Sequence, residues 1–339
     1  KALRDPITLS AGHEVLATMS IGVALSEHGK SRDDVLRDAD VAMYRVKERG
    51  RGGHFALTDA ERSGARPEGW LELCTALHNI TERGEVDIHY QPLVSLDDQR
   101  IVGAEALVRW NHPDHGILLP SQFIKVAEEN GAILPIGRMV LERACRQAKS
   151  WHDELGLSLQ IGVNLSARQF QQAGLVDDVA QALHDTAIDP TQLCLEITEG
   201  LAMDDVDLTT SILTTLHALG VRVAIDDFGT GHSSLGYLAR FPIDVVKIDQ
   251  SFVRDIDRDP VKSAIVSAVV ALSGAIGSTT VVEGVETQAQ FEELKSLGCD
   301  SAQGYYFARP ASAAAFGKML GTGLHAPPDL SVVHTVRAG

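Results

Sequence analysis

From residue 71 onward the chain alternates two apolar periods. β-Branched, apolar runs occupy 86–94, 101–109, 158–164, 193–198, 222–226, 244–248, 279–284 and 302–307, each of a length suited to a buried strand. Between most of them apolar residues recur every three or four positions, over 135–152, 204–219, 259–276 and 287–297, which predicts amphipathic helices. Eight such strands in β-α alternation predict an α/β fold, the (β/α)8 barrel. One connection departs from that plan. Only Ser95 to Arg100 separates the first two runs, too short for a parallel crossover, so the first strand is expected antiparallel to its neighbour and the barrel a variant. An open doubly wound sheet competes, but no Gly-x-Gly-x-x-Gly follows a first strand.

Ahead of residue 71 the pattern is thinner. A strand is predicted around Ala17 to Leu25 and a helix from about Ser31 to Arg49. In that helix Val35, Leu36, Ala39, Ala42, Met43 and Val46 form one apolar stripe, with Ser31 to cap it and Gly50 to end it. The stretch from Asp59 to Gly69 is polar, contains Gly and Pro and has no periodicity, which marks a linker. The expected division is a small α/β fragment over 1–55, too small to bury a good core alone, then a linker over 56–70. A barrel over 71–322 and a disordered tail over 323–339 complete it.

Composition narrows the function classes. Of 339 residues, 44% are apolar and 22% charged, ordinary for a globular protein. Thirty basic against 46 acidic side chains give a net charge of −16, which disfavours a nucleic-acid polymer as partner because that binding needs Lys and Arg on phosphates. A small anionic ligand stays open, since metal ions invert the local sign. No run of about 18 apolar residues would span a membrane, and no charged-then-apolar leader opens the chain. Cys74, Cys145, Cys194 and Cys299 are far apart in sequence and read as reduced thiols in a cytoplasmic protein. The chain starts at Lys1 and reads as part of a longer parent, which a membrane could tether.

The candidate chemistry gathers where apolar runs end. Glu105, Asn164, Glu196, Asp226 with Asp227, Asp249 and Glu283 each sit at or beside the C-terminal end of a predicted strand. In a barrel those ends form one rim, where active sites are built. One such carboxylate is commonly a helix cap or a solvated loop residue, whereas six strands in sequence are not. Lys247 and Arg109 are the only cations the strand ends supply, so negative charge is in excess and divalent cations are the simplest remedy. All-oxygen donors favour Mg²⁺ or Mn²⁺ over Zn²⁺. The adjacent pair Asp226-Asp227 suits two ions a few ångströms apart, an arrangement that clamps both oxygens of a phosphodiester displacement. His112 and His115 lie in a Pro-containing loop with no further ligand near in sequence and are not expected to bind metal. Tyr305, Tyr306 and Phe307 read as barrel packing in preference to a base-stacking platform.

Taken together, Glu105-Ala-Leu-Val-Arg109-Trp, Asn164-Leu-Ser, Glu196-Ile-Thr-Glu199, Asp226-Asp-Phe-Gly-Thr-Gly, Lys247-Ile-Asp249, Glu283-Gly-Val-Glu286 and Gln303-Gly-Tyr-Tyr-Phe resemble the EAL-domain family of bacterial cyclic di-GMP phosphodiesterases. The resemblance covers about 71–322. It implies hydrolysis of cyclic di-GMP to linear 5′-pGpG with two Mg²⁺ or Mn²⁺ ions. Carried over by motif, Glu105, Asn164, Glu196 and Asp226 resemble ligands of the first ion, Asp227 a neighbour or bridge of both, and Asp249 a ligand of the second. Glu283 resembles the general base, and Lys247 the residue that orients the attacking water. Gln91 and Arg109 resemble substrate contacts, Glu286 and Gln303 line the rim, and Glu199 resembles the anchor of the loop after Asp227. The departures are small: His232 stands where Tyr is frequent and Val282 where Ala is common. The resemblance also implies a homodimer. The segment Met19 to Leu25, with Ala39 to Arg51 after it, looks like the last part of a GGDEF domain, although the signature itself is absent. Two other classes stay open: a receptor module that binds cyclic di-GMP uncut, and a different metal-dependent barrel enzyme, such as one that stabilises an enolate.

Overall fold

The structure, a computed structural model, describes residues 7–8, 14–15, 21–24, 35, 39, 54–56, 70–77, 79–229 and 240–322. It divides into two compact units, residues 1–72 and 73–339. In the first, Ile7–Thr8 pairs antiparallel with Glu14–Val15, and Ile21–Val23 pairs parallel with His54–Ala56. Val35 and Ala39 are helical. The rest of the predicted helix, the linker stretch 59–69, His232 and the tail 323–339 lie outside the described residues.

The second unit is numbered from its own first strand. Eight strands close the ring: β1 (Val86–Ser95), β2 (Ile101–His112), β4 (Gln160–Asn164), β5 (Leu193–Thr198), β6 (Arg222–Phe228), β7 (Val245–Ile248), β8 (Thr279–Val282) and β9 (Ser301–Ala302). The short strands β3 (Gly116–Leu118) and β10 (Ala311–Ser312) extend it at β2 and β1. As expected from the short connection, β1 runs antiparallel to β2 and also to β9, while the remaining neighbours in the ring pair parallel and the added strands β3 and β10 pair antiparallel. The Ser95 N–H donates to Arg100 O at 2.9 Å, and Gln99 takes the left-handed conformation (φ +58°) that closes this tight turn.

Helices surround the strands: α1 (Pro120–Asn130), α2 (Ile133–Leu155), α3 (Ala167–Phe170), α4 (Leu175–Thr186), α5 (Glu199–Asp204), α6 (Val206–Ala218), α7 (Gln250–Val253), α8 (Pro260–Ile276), α9 (Gln288–Ser296) and α10 (Ala313–Thr322). On α2 the buried stripe Ile133, Ile136, Val140, Leu141, Ala144, Ala148 and Trp151 keeps helical spacing. Trp151 meets Tyr90 of β1 edge to face at 4.9 Å and packs against Phe316. The helix predicted over 204–219 starts later, because Asp205 is extended and its side chain accepts the Leu208 N–H, capping α6. Asp259 caps α8 in the same way ahead of Pro260, and Gly277 ends it in the left-handed conformation.

The last predicted strand, 302–307, is corrected to Ser301–Ala302. Beyond it Gly304 lies against the backbone of Val285, so close that a Cβ there would come within 2.1 Å of Val285 O. The chain then turns, with the N–H groups of Phe307 and Ala308 both donating to Gly304 O.

Candidate active site at the C-terminal mouth of the barrel

Strand pleating aligns the site. Cys194, Ala224, Val245 and Val281, with Leu93 beside them, fill the interior of the barrel. Two residues farther along β5, β6, β7 and just past β8, on the same face, come Glu196, Asp226, Lys247 and Glu283. β1 runs the other way, so its contribution, Gln91, precedes Leu93 by two and lies opposite Glu105 in the register. Asn164 faces Glu196 across β4 and β5.

Lys247 is the centre of this arrangement. Its Nζ lies 2.5 Å from Glu196 Oε2, 2.7 Å from Glu283 Oε1, 3.2 Å from Asp226 Oδ2 and 3.8 Å from Glu105 Oε2. Asn164 Nδ2 donates to Glu105 Oε1 at 2.6 Å. Gln303 Nε2 donates to Glu105 Oε2 at 2.6 Å and to Glu283 Oε1 at 3.1 Å. Four carboxylates thus share one ammonium. Lys247 is held well above the ordinary lysine value, because its carboxylate neighbours outweigh its own burial. Burial also drives Glu196 well above the usual carboxylate range and pushes Glu283 up to about 7. Glu105 is equally buried, yet Lys247 and the amides of Gln303 and Asn164 hold it below its ordinary value. The mouth therefore retains protons that isolated carboxyls would have lost.

Asp227 breaks the alternation. It adopts φ +55°, costly for a residue with a Cβ, and the register of β6 against β7 slips between Ile225 and Phe228. That slip lets two successive side chains serve one end of the barrel. Burial raises the Asp227 carboxyl, and Asp226 and Asp249 raise it further. Asp249 caps α7 through the Ser251 N–H at 2.9 Å and stands outside the Lys247 cluster. Glu199 is buried at the start of α5 and accepts the Gly229 N–H at 2.7 Å. Arg109 is buried and donates to Val108 O. Gln91 reaches Ala308 O at 3.5 Å. Glu286 is exposed, and its N–H donates to Gln290.

The structure thus joins Glu105, Asn164, Glu196, Asp226, Lys247, Glu283 and Gln303 by direct contacts, and leaves Asp249, Arg109 and Glu286 at its margin. One contributor is a residue the sequence reading passed over. Gly162, inside β4, leaves the space that the Glu196 carboxylate enters; a Cβ there would stand 2.1 Å from Glu196 Oε1. A glycine within an apolar strand is the available signal for such a close approach.

No cluster of three or more His, Cys, Asp or Glu side chains among the described residues is arranged to hold a metal ion as it stands, and Lys247 lies among the carboxylates. The donor chemistry nevertheless fits a hard divalent cation: clustered, desolvated carboxylate oxygens, an amide, and more negative charge than one ammonium balances. His112 takes a local role, its Nδ1 accepting the N–H groups of Asp114 and His115. No disulfide joins the cysteines, three of which are buried. No helix among the described residues is long and apolar enough to cross a membrane.

Residues 73–310 match the EAL domain family model. The chain is 44% identical over 314 residues to the bifunctional diguanylate cyclase/cyclic di-GMP phosphodiesterase MucR of Pseudomonas aeruginosa, covering 92% of this chain and 45% of that protein. To the cyclic di-GMP phosphodiesterase PdeR of Escherichia coli it is 39% identical over 304 residues, covering 89% and 45%. It spans less than half the length of these two relatives. Among solved structures, the PaMucR phosphodiesterase in its c-di-GMP complex superposes with a TM-score of 0.70 at 46% identity, over 72% of this chain and 99% of that one. The EAL domain of Mycobacterium smegmatis DcpA gives 0.60 at 34%, over 71% and 98%. The family model spans most of the chain and relatives at about 40% identity cover nearly all of it, so the chain belongs to the EAL domain family.

Proposed function

We propose that this protein is a phosphodiesterase that hydrolyses cyclic di-GMP to linear 5′-pGpG, with Mg²⁺ or Mn²⁺ as cofactor. The observation that carries this reading is the convergence of Glu105, Glu196, Asp226 and Glu283 on one buried lysine at the barrel mouth. The likeness to PdeR and to the PaMucR complex supports the substrate. Glu105, Asn164, Glu196 and Asp226 would hold one ion and Asp249 a second, with Asp227 beside both. Bound there, the ions would supply Lewis-acid stabilisation of the phosphate charge and a more acidic water.

The protein's own groups do the rest. Glu283, with a carboxyl near neutrality, accepts the proton of the attacking water. Lys247 orients that water and offsets charge on the phosphate. Arg109 grips a phosphate oxygen, its fixed fork suiting that geometry. Gln91, Glu286 and Gln303 border the bound dinucleotide. Glu199, through the Gly229 amide, ties the loop beyond Asp227 to the occupied site.

The reading extends to a homodimer, checked by light scattering as twice the mass of the chain, to a cytoplasmic setting, and to a GGDEF remnant in residues 1–55. The deciding experiment incubates purified protein and cyclic di-GMP with Mg²⁺ or Mn²⁺ and separates products by chromatography. Metal-dependent 5′-pGpG is expected. Bound but uncut nucleotide would favour a receptor, and neither binding nor cleavage would reject the substrate class.

A further inference from the structure

The aromatic run after Gln303 divides into two roles. Tyr306 stacks on Phe291, with ring centres 5.7 Å apart at 28°, and Phe307 closes the group edge-on at 5.2 Å from Tyr306. Tyr305 does not join them. It remains 46% exposed, and the Arg309 guanidinium lies over its ring, 4.2 Å from the centre.

The turn that carries Tyr305 sits on the mouth of the barrel. Gln303, two residues earlier, bonds to Glu105 and Glu283. Gln91 contacts Ala308, three residues later. Buried Arg109, on the strand that carries Glu105, lies near enough to Tyr305 and Glu105 for both to bear on its charge. An exposed ring is therefore set beside the groups that would hold a dinucleotide phosphate, braced on one face by a cation. We propose that Tyr305, backed by Arg309, is the stacking platform for one guanine base of the dinucleotide. The inference rests on the phosphodiesterase reading and names the side chain that recognises the base.

The physics favours this use over packing. The neighbouring Tyr306 and Phe307 already fill the apolar space against α9, so Tyr305 adds little to the core. A purine presents a broad π-face, and an aromatic side chain gains about 1–3 kcal/mol per stacked base. The guanidinium orders the ring before the nucleotide arrives, which lowers the ordering penalty on binding. Stacking tolerates any base, so Tyr305 contributes affinity for the purine while hydrogen-bonding groups supply discrimination.

The test compares two substrates on the full chain with Mn²⁺: cyclic di-GMP, and bis(p-nitrophenyl) phosphate, which is cleaved at the same phosphodiester centre and carries no base. Tyr305→Ala is expected to raise KM for cyclic di-GMP about tenfold or more, with turnover of bis(p-nitrophenyl) phosphate unchanged. Tyr305→Phe keeps the ring and is expected to stay within about threefold of the parent, and Arg309→Ala to fall between the two. An unchanged KM in Tyr305→Ala overturns the proposal, and so does an equal loss on both substrates, which assigns the ring a structural role. A parent that binds cyclic di-GMP without cutting it removes the hydrolase reading alone, because the same ratio is then read as Kd by calorimetry. A parent that binds none overturns both.

Discussion

Arg222 and Asp226 stand four residues apart on β6, at opposite ends of the barrel, and meet different surroundings. At the N-terminal end each charge has a modest local answer. Arg222 lies 4.0 Å from Asp244, which also accepts the Val223 N–H. Asp300 accepts the N–H and hydroxyl of Thr280, and Lys295 donates to Asp97 O. At the C-terminal end Asp226 joins three other carboxylates around Lys247, with charge left over. The same strands and the same pleat carry both layers, so the backbone does not distinguish them. The difference teaches that function lies in concentrated charge: at the lower end each charge meets a separate local partner, whereas the upper end gathers four carboxylates on one buried ammonium and is completed only by something added.

Breaking the upper layer outright should give the largest effect. Glu105→Ala removes an oxygen donor and is expected to cut metal-dependent cleavage of cyclic di-GMP by about three orders of magnitude. Its thermal transition should stay close to the parent's, because the repulsion relieved among the carboxylates offsets the hydrogen bonds lost from Asn164 and Gln303. Retained turnover would show that Glu105 is no ligand.

Lys247→Met tests the balance itself. Four carboxylates then lack their cation, and the chelated protein is expected to lose about 3–5 kcal/mol of stability in denaturant melts, with much of that regained in Mn²⁺. The matching change below, Arg222→Met, involves a partly exposed pair and should cost less than about 1 kcal/mol with no response to metal. Equal losses at the two ends would remove the distinction.

A pH titration sharpens it. Burial pushes the Glu283 carboxyl up to about 7, so the folded, metal-free chain holds a proton that the unfolded chain releases near 4.5. This group's stabilising contribution is complete below that lower value and is lost as pH rises through about 7. A cation entering the cluster displaces this proton and the one that burial keeps on Glu196, so Mn²⁺ affinity measured by calorimetry should climb with pH between 6 and 8, by about tenfold or more per unit below about 7 and less steeply above it. Glu283→Gln should remove the change of slope near 7 and leave the Glu196 part. An affinity independent of pH between 6 and 8 would place the proton elsewhere.

Much of this contrast was legible in the sequence because Glu196, Asp226 and Glu283 each close an apolar run, and period-two pleating then places them on the interior face. Glu105, by contrast, lies in mid-strand on β2, followed by Ala106, Leu107 and Val108, and is not marked in that way. The reversal of β1 was legible from Ser95 to Arg100, since chain length forbids a crossover. Features set by tertiary contact were not. The left-handed Asp227 follows from a register slip against β7, and the early end of β9 from Gly304 meeting the Val285 backbone. The separation of Tyr305 from Tyr306 and Phe307 depends on where Phe291 of α9 lies, which no local pattern specifies.

Gly162 and Gly103 give the smallest and most discriminating comparison, since a Cβ is obstructed at both. At Gly103, toward the lower end, it would stand 2.5 Å from the backbone oxygen of Gln160, which cannot retreat without moving β4. Gly103→Ala should therefore lose about 1–3 kcal/mol whether or not metal is present. At Gly162 the obstacle is the far end of the flexible Glu196 side chain, which can swing aside at the expense of its bond to Lys247. Gly162→Ala is expected to lose under about 1 kcal/mol in chelator and nothing measurable in Mn²⁺, because a cation replaces the ammonium as the partner of Glu196. By linkage the same variant should bind Mn²⁺ a few-fold more tightly, its metal-free state having been raised in energy. A loss that persists undiminished in Mn²⁺ would mean that Glu196 needs the space above Gly162 in both states, and the upper layer would then be as rigid as the lower.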